Sequence, residues 1–203
     1  DMIEFDVRRS ADDRLFIMHD QRSGRTATTD VDMERSTAAV IETIRLRNGE
    51  PVPTLAELLQ LVSGQVALNI EIKSRGAAPL VVGLLRQLNY QGELLISSFL
   101  SDEVATVHNL WPELPVAEIY DRFLPSQLSP YAARGFRHVS LNSQAVTQEL
   151  VLACHAAHVR LHVWTVNDEH EMERLYTLGV DGIFSNVPQL LRQVRDRVVS
   201  RLP

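Results

Sequence analysis

One short stretch, Asn69-Ile70-Glu71-Ile72-Lys73, limits most strongly what this chain can fold into. Side chains alternate along a strand, so Asn69, Glu71 and Lys73 share one face and the two isoleucines share the other. A strand of a parallel sheet is covered on both faces and is normally almost wholly apolar, so the charges need an explanation. Two explanations stand at this point: a polar site at the mouth of a barrel, or a half-exposed strand with a solvated charged face.

The beginning of the chain has the same construction and favours the polar site. In Ile3-Glu4-Phe5-Asp6-Val7, the two acids lie on one face of a predicted strand and the apolar residues on the other. If this strand lies beside residues 69–73, three carboxylates and one ammonium group converge. Three carboxylates at close range cannot all stay ionised without a cation between them. Ligation by oxygen alone suits a hard divalent ion, Mg²⁺ or Ca²⁺, better than zinc.

After Lys73, predicted strands and helices alternate with short connections to the end of the chain. This alternation predicts parallel strands, right-handed crossovers and an α/β fold, a TIM (β/α)₈ barrel formed by residues 1–203 as a single domain. Seven barrel strands can be counted, from Ile3–Val7 to Gly182–Ser185, so the first strand and helix are expected upstream of Asp1. The rival fold, a doubly wound open sheet, normally has a glycine-rich first turn, which this sequence lacks.

The segment between the first two acidic strands has a weaker pattern. Residues 21–50 are polar and irregular, with one helix predicted around Met33–Ile44. Thr54 and Glu57 predict an N-cap with a capping box for the next helix, Leu55–Val62.

Composition excludes several classes of protein. The formal net charge of −6 argues against a general nucleic-acid or anionic-membrane surface. No apolar run approaches the length of a membrane span, so stable membrane insertion is not expected. Cys154 is the single cysteine, which excludes an internal disulfide and fits a reducing compartment, so the predicted location is the cytoplasm.

Several short blocks, taken in order, resemble the glycerophosphodiester phosphodiesterase family from one end of the chain to the other. The blocks are Asp1–Val7, Phe16–Asp20, Arg25-Thr26, Val52–Leu55, Asn69–Lys73, Ile96–Phe99, Val163–Asn167 and Gly179–Gly182. Each block is weak alone, but their common order is a specific signal.

The resemblance implies metal-dependent hydrolysis of glycerophosphodiesters to glycerol 3-phosphate and an alcohol, at a site on the C-terminal ends of the barrel strands. It implies one divalent cation, Mg²⁺ or Ca²⁺, and a small-molecule substrate. The implied residue roles are metal ligation by Glu4, Asp6 and Glu71, phosphate contact and charge stabilisation by Lys73, acid–base catalysis by His19, and pocket walls formed by Phe99 and Trp164.

One departure from the family keeps two alternatives open. The family's first strand carries a His-Arg pair, which this sequence does not contain, so the natural chain is expected to begin upstream of Asp1. The alternatives are a related barrel phospholipase acting on sphingolipid or lysolipid head groups, and a catalytically impaired barrel that binds a phosphorylated ligand. Unpaired strand edges next to a missing strand would also invite association with other chains, as in a homo-oligomer.

The other histidines are interpreted as structural. His162 alternates with Trp164 on a predicted strand, so its side chain could face a barrel lumen, but packing is the simpler interpretation.

Overall fold

The computed structural model describes residues 1–200, and the chain divides into two compact units. The first unit spans residues 1–116 and the second begins at Ala117. The prediction of a single domain over residues 1–203 stays a prediction. Among residues 1–200, no helix is both long enough and apolar enough to cross a membrane.

The first unit is built around a sheet with mixed strand directions. In the order of the sheet, its strands are β2 (Leu15–Ile17), β1 (Met2–Arg9), β3 (Ala67–Ile72) and β4 (Leu94–Ser98). Strands β1, β3 and β4 run parallel, as the sequence predicts, while β2 folds back antiparallel to β1. The short strand before His19 therefore lies outside the series of parallel strands but is attached to its first member.

Four helices belong to the first unit: α1 (Ala38–Ile41), α2 (Leu55–Val62), α3 (Ala78–Gln87) and α4 (Ser101–Leu110). The predicted capping box of α2 is confirmed, because Thr54 and Glu57 each accept a hydrogen bond from the other's backbone N–H. The predicted helix over 33–44 is wrong, since α1 is a single turn. Apolar side chains of this segment, including Met33 and Ile44, are buried in a local cluster without a continuous helix.

The second unit continues the alternation. Strands β5 (Val116–Tyr120), β6 (His138–Asn142), β7 (Arg160–Trp164) and β8 (Gly182–Ile183) pair in this order, all parallel. Its helices are α5 (Leu128–Ala133), α6 (Gln148–Ala156), α7 (Glu169–Leu178) and α8 (Pro188–Val199). The last strand is shorter than the predicted Gly182–Ser185. Gly179 ends α7 with a left-handed backbone, φ +86°, the C-cap geometry for which glycine is favoured.

Strand β3 settles the choice between a buried polar site and a solvated charged face. Its residues from Leu68 to Ile72 are all buried, on both faces of the strand. Asn69 is 3% exposed and Glu71 is 8% exposed. The half-exposed strand is therefore wrong, and the polar side chains of β3 lie in the interior of the first unit.

Candidate active site

The register between β1 and β3 brings three carboxylates together. Glu4 lies opposite Asn69 and Asp6 lies opposite Glu71, so the acidic faces of the two strands coincide. One carboxylate oxygen from each of Glu4, Asp6 and Glu71 lies within 4.8 Å of the other two. The structure thus brings together the three carboxylates for which the sequence predicts metal ligation, at a spacing that could suit oxygen ligation of a single divalent cation. Their role as ligands stays a prediction.

The protonation of these acids reflects their crowding. Loss of water contact, followed by the charges of Asp6 and Glu71, raises the pKa of Glu4 to about 7, although its side chain retains exposed surface. Burial also raises the pKa of Glu71, against the opposite effect of Lys73. Without a cation the cluster carries more negative charge than its surroundings balance, as expected for carboxylates in close proximity.

Lys73 supplies the one ammonium group of the cluster. Its Nζ lies 3.2 Å from Asp6 Oδ1 and forms a second, shorter ion pair with Glu71. Burial alone would lower the pKa of Lys73, but the two carboxylates outweigh that effect and raise it, so the lysine is a cation. The same nitrogen lies 5.6 Å from the ring centroid of Phe99, which follows β4, so the predicted pocket residue Phe99 is beside Lys73.

Two uncharged side chains extend this polar surface. Asn69 Oδ1 and Ser97 Oγ are buried and have no hydrogen-bond partner within residues 1–200. Asn69 lies opposite Glu4, and Ser97 opposite Glu71, on the strands that flank the cluster. Buried oxygens normally have partners, so unsatisfied ones beside the carboxylates fit a site that receives a polar ligand.

His19 reaches the cluster through the antiparallel strand β2. The N–H of Met18 donates to the carbonyl oxygen of Asp6 over 3.0 Å, so the residue before His19 is bonded to a residue that carries a cluster carboxylate. Beyond this bond the chain leaves the sheet, and the His19 side chain is 60% exposed. The charge of His19 acts on Glu71, where it is the smallest of the effects on the pKa of that acid, so the histidine lies on the side of the sheet that carries the cluster. Its acid–base role stays a prediction.

Asp20 orients the His19 ring. Asp20 Oδ1 lies 2.6 Å from Nδ1 of His19, and its other oxygen accepts from Nε of Arg25 over 2.5 Å. The Arg25 bond, with the smaller contribution of His19, lowers the pKa of Asp20 to about 2, so the carboxylate is charged. Occupation of Nδ1 leaves Nε2 as the nitrogen that can exchange a proton with a ligand. Asp20 and Arg25 lie in blocks that resemble the family, but neither has a role predicted from the sequence.

A second set of contacts at the site was not predicted. Arg8 Nε donates to the carbonyl oxygen of His19 over 2.9 Å, and Arg8 Nη1 donates to Glu34 over 2.7 Å. Arg8 has the same side-chain parity as Glu4 and Asp6, which the sequence could have shown if the predicted strand had extended beyond Val7. Glu34 carries no such signal.

The loop after Lys73 is fixed by a buried acid of helix α4. Glu103, 6% exposed, accepts from the backbone N–H of Gly76 over 2.6 Å and of Ala78 over 2.8 Å. Gly76 has φ +74°, a left-handed backbone conformation that glycine adopts without strain, so conformation favours glycine here. The loop that leaves the lysine strand therefore has a defined path.

Trp164, the other predicted pocket residue, is the half-buried last residue of β7 in the second unit. Its role as a pocket wall stays a prediction.

A histidine pair in the second unit agrees with the structural interpretation of His162. Nδ1 of His138 lies 3.0 Å from Nε2 of His162, and the two rings stack with a 5.3 Å centroid separation. Burial, followed by the effect of His138, lowers the pKa of His162 to about 4, and burial also lowers the pKa of His138. A Cβ at Gly182 would lie 2.6 Å from the His162 ring, so the packing leaves no room for a side chain at that position.

Comparison with known proteins gives one consistent family. A family model described as the glycerophosphoryl diester phosphodiesterase family matches residues 1–190. The chain is 29% identical over 217 residues to a glycerophosphodiester phosphodiesterase of Bacillus altitudinis, covering 98% of this chain and 87% of that protein. It is 27% identical over 224 residues to one of Bacillus subtilis, covering 96% of this chain and 76% of that protein.

Solved structures agree with the predicted fold class. A phosphodiesterase of Oleispira antarctica, solved in complex with the product sn-glycerol-3-phosphate, has a TM-score of 0.89 at 24% identity and covers 96% of this chain and 85% of its own. A glycerophosphodiester phosphodiesterase of Parabacteroides distasonis has a TM-score of 0.86 at 25% identity, with 97% and 84% coverage. The fold class is therefore the (β/α)₈ barrel predicted from the strand–helix alternation.

Proposed function

The chain belongs to the glycerophosphoryl diester phosphodiesterase family, and from this premise we propose that it hydrolyses glycerophosphodiesters to glycerol 3-phosphate and an alcohol with one divalent cation. The observation that carries the proposal is the register of β1 and β3, which brings three carboxylates and a lysine together. A phosphodiester is an anion, so attack on its phosphorus requires neutralisation of charge at this point.

The residues present fit a hard divalent cation, Mg²⁺ or Ca²⁺. Glu4, Asp6 and Glu71 offer oxygens within 4.8 Å of one another, and the crowding that raises the pKa of Glu4 is the imbalance that a cation would relieve. These three side chains would hold the ion. When bound, such an ion neutralises charge on a phosphoryl oxygen and orients the reacting groups.

Lys73 has the position and charge of a phosphate contact. Its ammonium group is fixed between two carboxylates and is held in the cationic form. Such a fixed cation stabilises negative charge that develops on the phosphoryl oxygens as the reaction proceeds. Phe99 borders the same ammonium group, and we assign it to a wall of the substrate pocket.

His19 donates the proton that the leaving alkoxide needs. An imidazole is well suited to proton transfer near neutral pH, and Asp20 holds the ring by Nδ1 so that Nε2 faces away from that bond. Arg25 holds Asp20 in turn. The chain of Arg25, Asp20 and His19 therefore keeps the proton-transfer group in one orientation.

Hydrolysis of glycerophosphocholine with and without metal tests the proposal. We expect release of choline and glycerol 3-phosphate, loss of the reaction in EDTA, and its recovery when Mg²⁺ or Ca²⁺ is added. Calorimetric titration with each ion alone measures binding to the three carboxylates independently of turnover. Turnover unaffected by EDTA would contradict the metal dependence.

Two controls make the result specific. Glu71→Gln keeps the shape of the ligand but removes its charge, so both ion binding and turnover should fall. Sphingomyelin assayed in parallel separates a glycerophosphodiesterase from a barrel phospholipase, and faster cleavage of sphingomyelin would overturn the proposed substrate class.

We place the enzyme in the cytoplasm, because the buried thiol of Cys154 fits a reducing compartment.

A further inference from the structure

Arg8 has an unexpected orientation for a cation next to an acidic cluster. It follows Glu4 and Asp6 on the same face of β1, and its side chain is only 13% exposed. Yet two of its guanidinium nitrogens bond elsewhere: Nε to the carbonyl oxygen of His19 over 2.9 Å, and Nη1 to Glu34 over 2.7 Å. Those two nitrogens therefore connect backbone to carboxylate and do not serve as a phosphate clamp.

Glu34 is itself fixed from two sides. Ser74 Oγ donates to the same Glu34 oxygen over 2.8 Å, and this hydroxyl accepts from the backbone N–H of Arg9 over 3.1 Å. Glu34 is thereby connected to the ends of both β1 and β3. We call Arg8, Glu34 and Ser74 the arginine clamp.

The arginine clamp holds the backbone of His19, whereas the contact with Asp20 holds only its ring. Asp20 orients the imidazole ring, but Asp20 is the next residue in the same loop, so this contact does not tie the loop to the sheet. The last sheet-like bond before His19 is Met18 N–H to Asp6. Arg8 fixes the carbonyl of His19 itself. The backbone from which the exposed ring projects is therefore tied to β1, the strand that carries Glu4 and Asp6.

We propose that Arg8 is a positioning residue for His19. Arg8 acts through its hydrogen bond to the His19 carbonyl oxygen, and Arg8 is itself held by Glu34, which Ser74 fixes in turn. The inference rests on the proposed function, in which His19 protonates the leaving group. Catalytic groups must be held close to their productive geometry, and misplacement by about 1 Å can cost about 10²-fold in rate. Loss of the clamp should therefore reduce proton transfer and leave phosphate binding unaffected.

Two substrates that differ in their leaving group separate positioning from simple loss of structure. Glycerophosphocholine releases an alkoxide that needs a proton, while a p-nitrophenyl glycerophosphodiester releases a stable phenolate that does not. For Arg8→Lys, which cannot make both contacts of the guanidinium, we expect kcat on glycerophosphocholine to fall by roughly 10–10²-fold with KM nearly unchanged. On the p-nitrophenyl ester the decrease should be less than about threefold.

Arg9→Lys is the matched control, because Arg9 is the next residue on the same strand and is ion-paired with Asp13 at 3.2 Å. Its rates on both substrates should stay near those of the unmodified enzyme. Glu34→Gln weakens the clamp from its far end and should show the same selective decrease, smaller in size. It carries the test if Arg8→Lys does not fold.

His19→Ala distinguishes failure of this inference from failure of the proposed function. If His19→Ala loses activity selectively on glycerophosphocholine but Arg8→Lys and Glu34→Gln lose both substrates equally, or neither, the positioning role is overturned. If His19→Ala itself shows no selectivity for the leaving group, the proton-donor role of His19 is wrong, and its positioning by Arg8 is overturned with it.

Discussion

Each of the two units contains buried or half-buried ionisable groups, and the two sets differ in charge and in surroundings. In the first unit, Glu71 and Lys73 are paired at the C-terminal end of β3 and are crowded by further acids. In the second unit, His138 and His162 form a stacked pair whose pKa values are lowered, so both rings are neutral near pH 7. The acidic cluster of the first unit contains carboxylates that repel one another. The histidines of the second unit are neutral and hydrogen-bond to each other.

The difference shows why burial of a titratable residue is not by itself evidence of function. In barrels of this class, residues at the C-terminal ends of the strands carry the chemistry and the opposite ends carry stability. His138 begins β6, whereas Lys73 directly follows the last residue of β3. A buried ionisable group indicates a functional site when nearby groups leave excess charge of one sign around it. It indicates packing when it is neutral and hydrogen-bonded to a neighbour.

The largest expected effect concerns catalysis in the first unit. His19→Ala should lower kcat on glycerophosphocholine by about 10²–10⁴-fold, the usual contribution of general acid catalysis, with a much smaller change in KM. His162→Gln should leave kcat within about threefold of the unmodified enzyme, because its ring is neutral and already bonded to His138. Steady-state kinetics on both variants checks this, and near-normal turnover of His19→Ala would assign His19 a structural role.

The next effect is on stability and belongs to the histidine pair. An unfolded histidine has a pKa near 6.5, whereas that of folded His162 is about 4, so between these values the unfolded chain binds a proton that the folded state excludes. Stability is thus fully present above pH 6.5 and is lost as the pH falls towards 4, by roughly 2–3 kcal/mol. Besides His138, the nearby charges of Asp181 and Arg160 act on this ring in opposite directions.

Urea unfolding between pH 4.5 and 7 measures this loss. The slope of stability against pH should flatten in His162→Gln and persist in His170→Gln, which replaces an exposed histidine of α7. An equal slope in both variants would show that His162 does not control acid stability.

A smaller change in the free energy of unfolding, in this case a stabilisation, is expected at the acidic cluster. Glu4→Gln removes one of three crowded carboxylates, so in EDTA it should stabilise the protein by about 0.5–1 kcal/mol, a modest value because the Glu4 side chain retains solvent screening. The same variant should bind Mg²⁺ more weakly in calorimetry. Destabilisation in EDTA would mean that the three acids are not in mutual repulsion.

The smallest effect concerns Phe99, which is 45% exposed. Phe99→Ala removes a ring lying 5.6 Å from the Lys73 ammonium group, a contact worth about 0.5–1 kcal/mol at exposed sites. We expect KM for glycerophosphocholine to rise by about two- to fivefold and the unfolding free energy to change by less than about 0.5 kcal/mol. A large loss of stability would place Phe99 in the core of the first unit and not in the pocket.

The parts of the site that could be predicted from sequence are those with strand periodicity. Glu4, Asp6, Glu71 and Lys73 alternate with apolar residues, and parallel pairing of their strands is enough to bring them together. The capping box of α2 is similarly local and was predicted correctly.

The parts that could not be predicted lie in segments without periodicity. Glu34 belongs to the irregular region 21–50, where the predicted helix over 33–44 is wrong, because apolar residues there enter a local cluster at irregular spacing. The contacts of Arg8, Glu34 and Ser74 join residues 26 and 40 positions apart, and no local pattern encodes such pairings. The strands that carry the site were predictable, but the contacts that hold the loop with His19 were not.

The two hydrogen bonds that Glu103 accepts have a consequence for local opening of the molecule. The amide proton of Gly76 belongs to the loop after Lys73 and that of Ala78 to the first residue of α3, two places where exchange with solvent deuterium is normally fast. Both are nevertheless held by one buried carboxylate. Their exchange requires the α4 carboxylate to release the loop, so these two amides report on the opening of the segment that follows Lys73. Deuterium uptake at these two amides thus measures how often the segment after Lys73 separates from Glu103, and the measurement needs neither substrate nor metal.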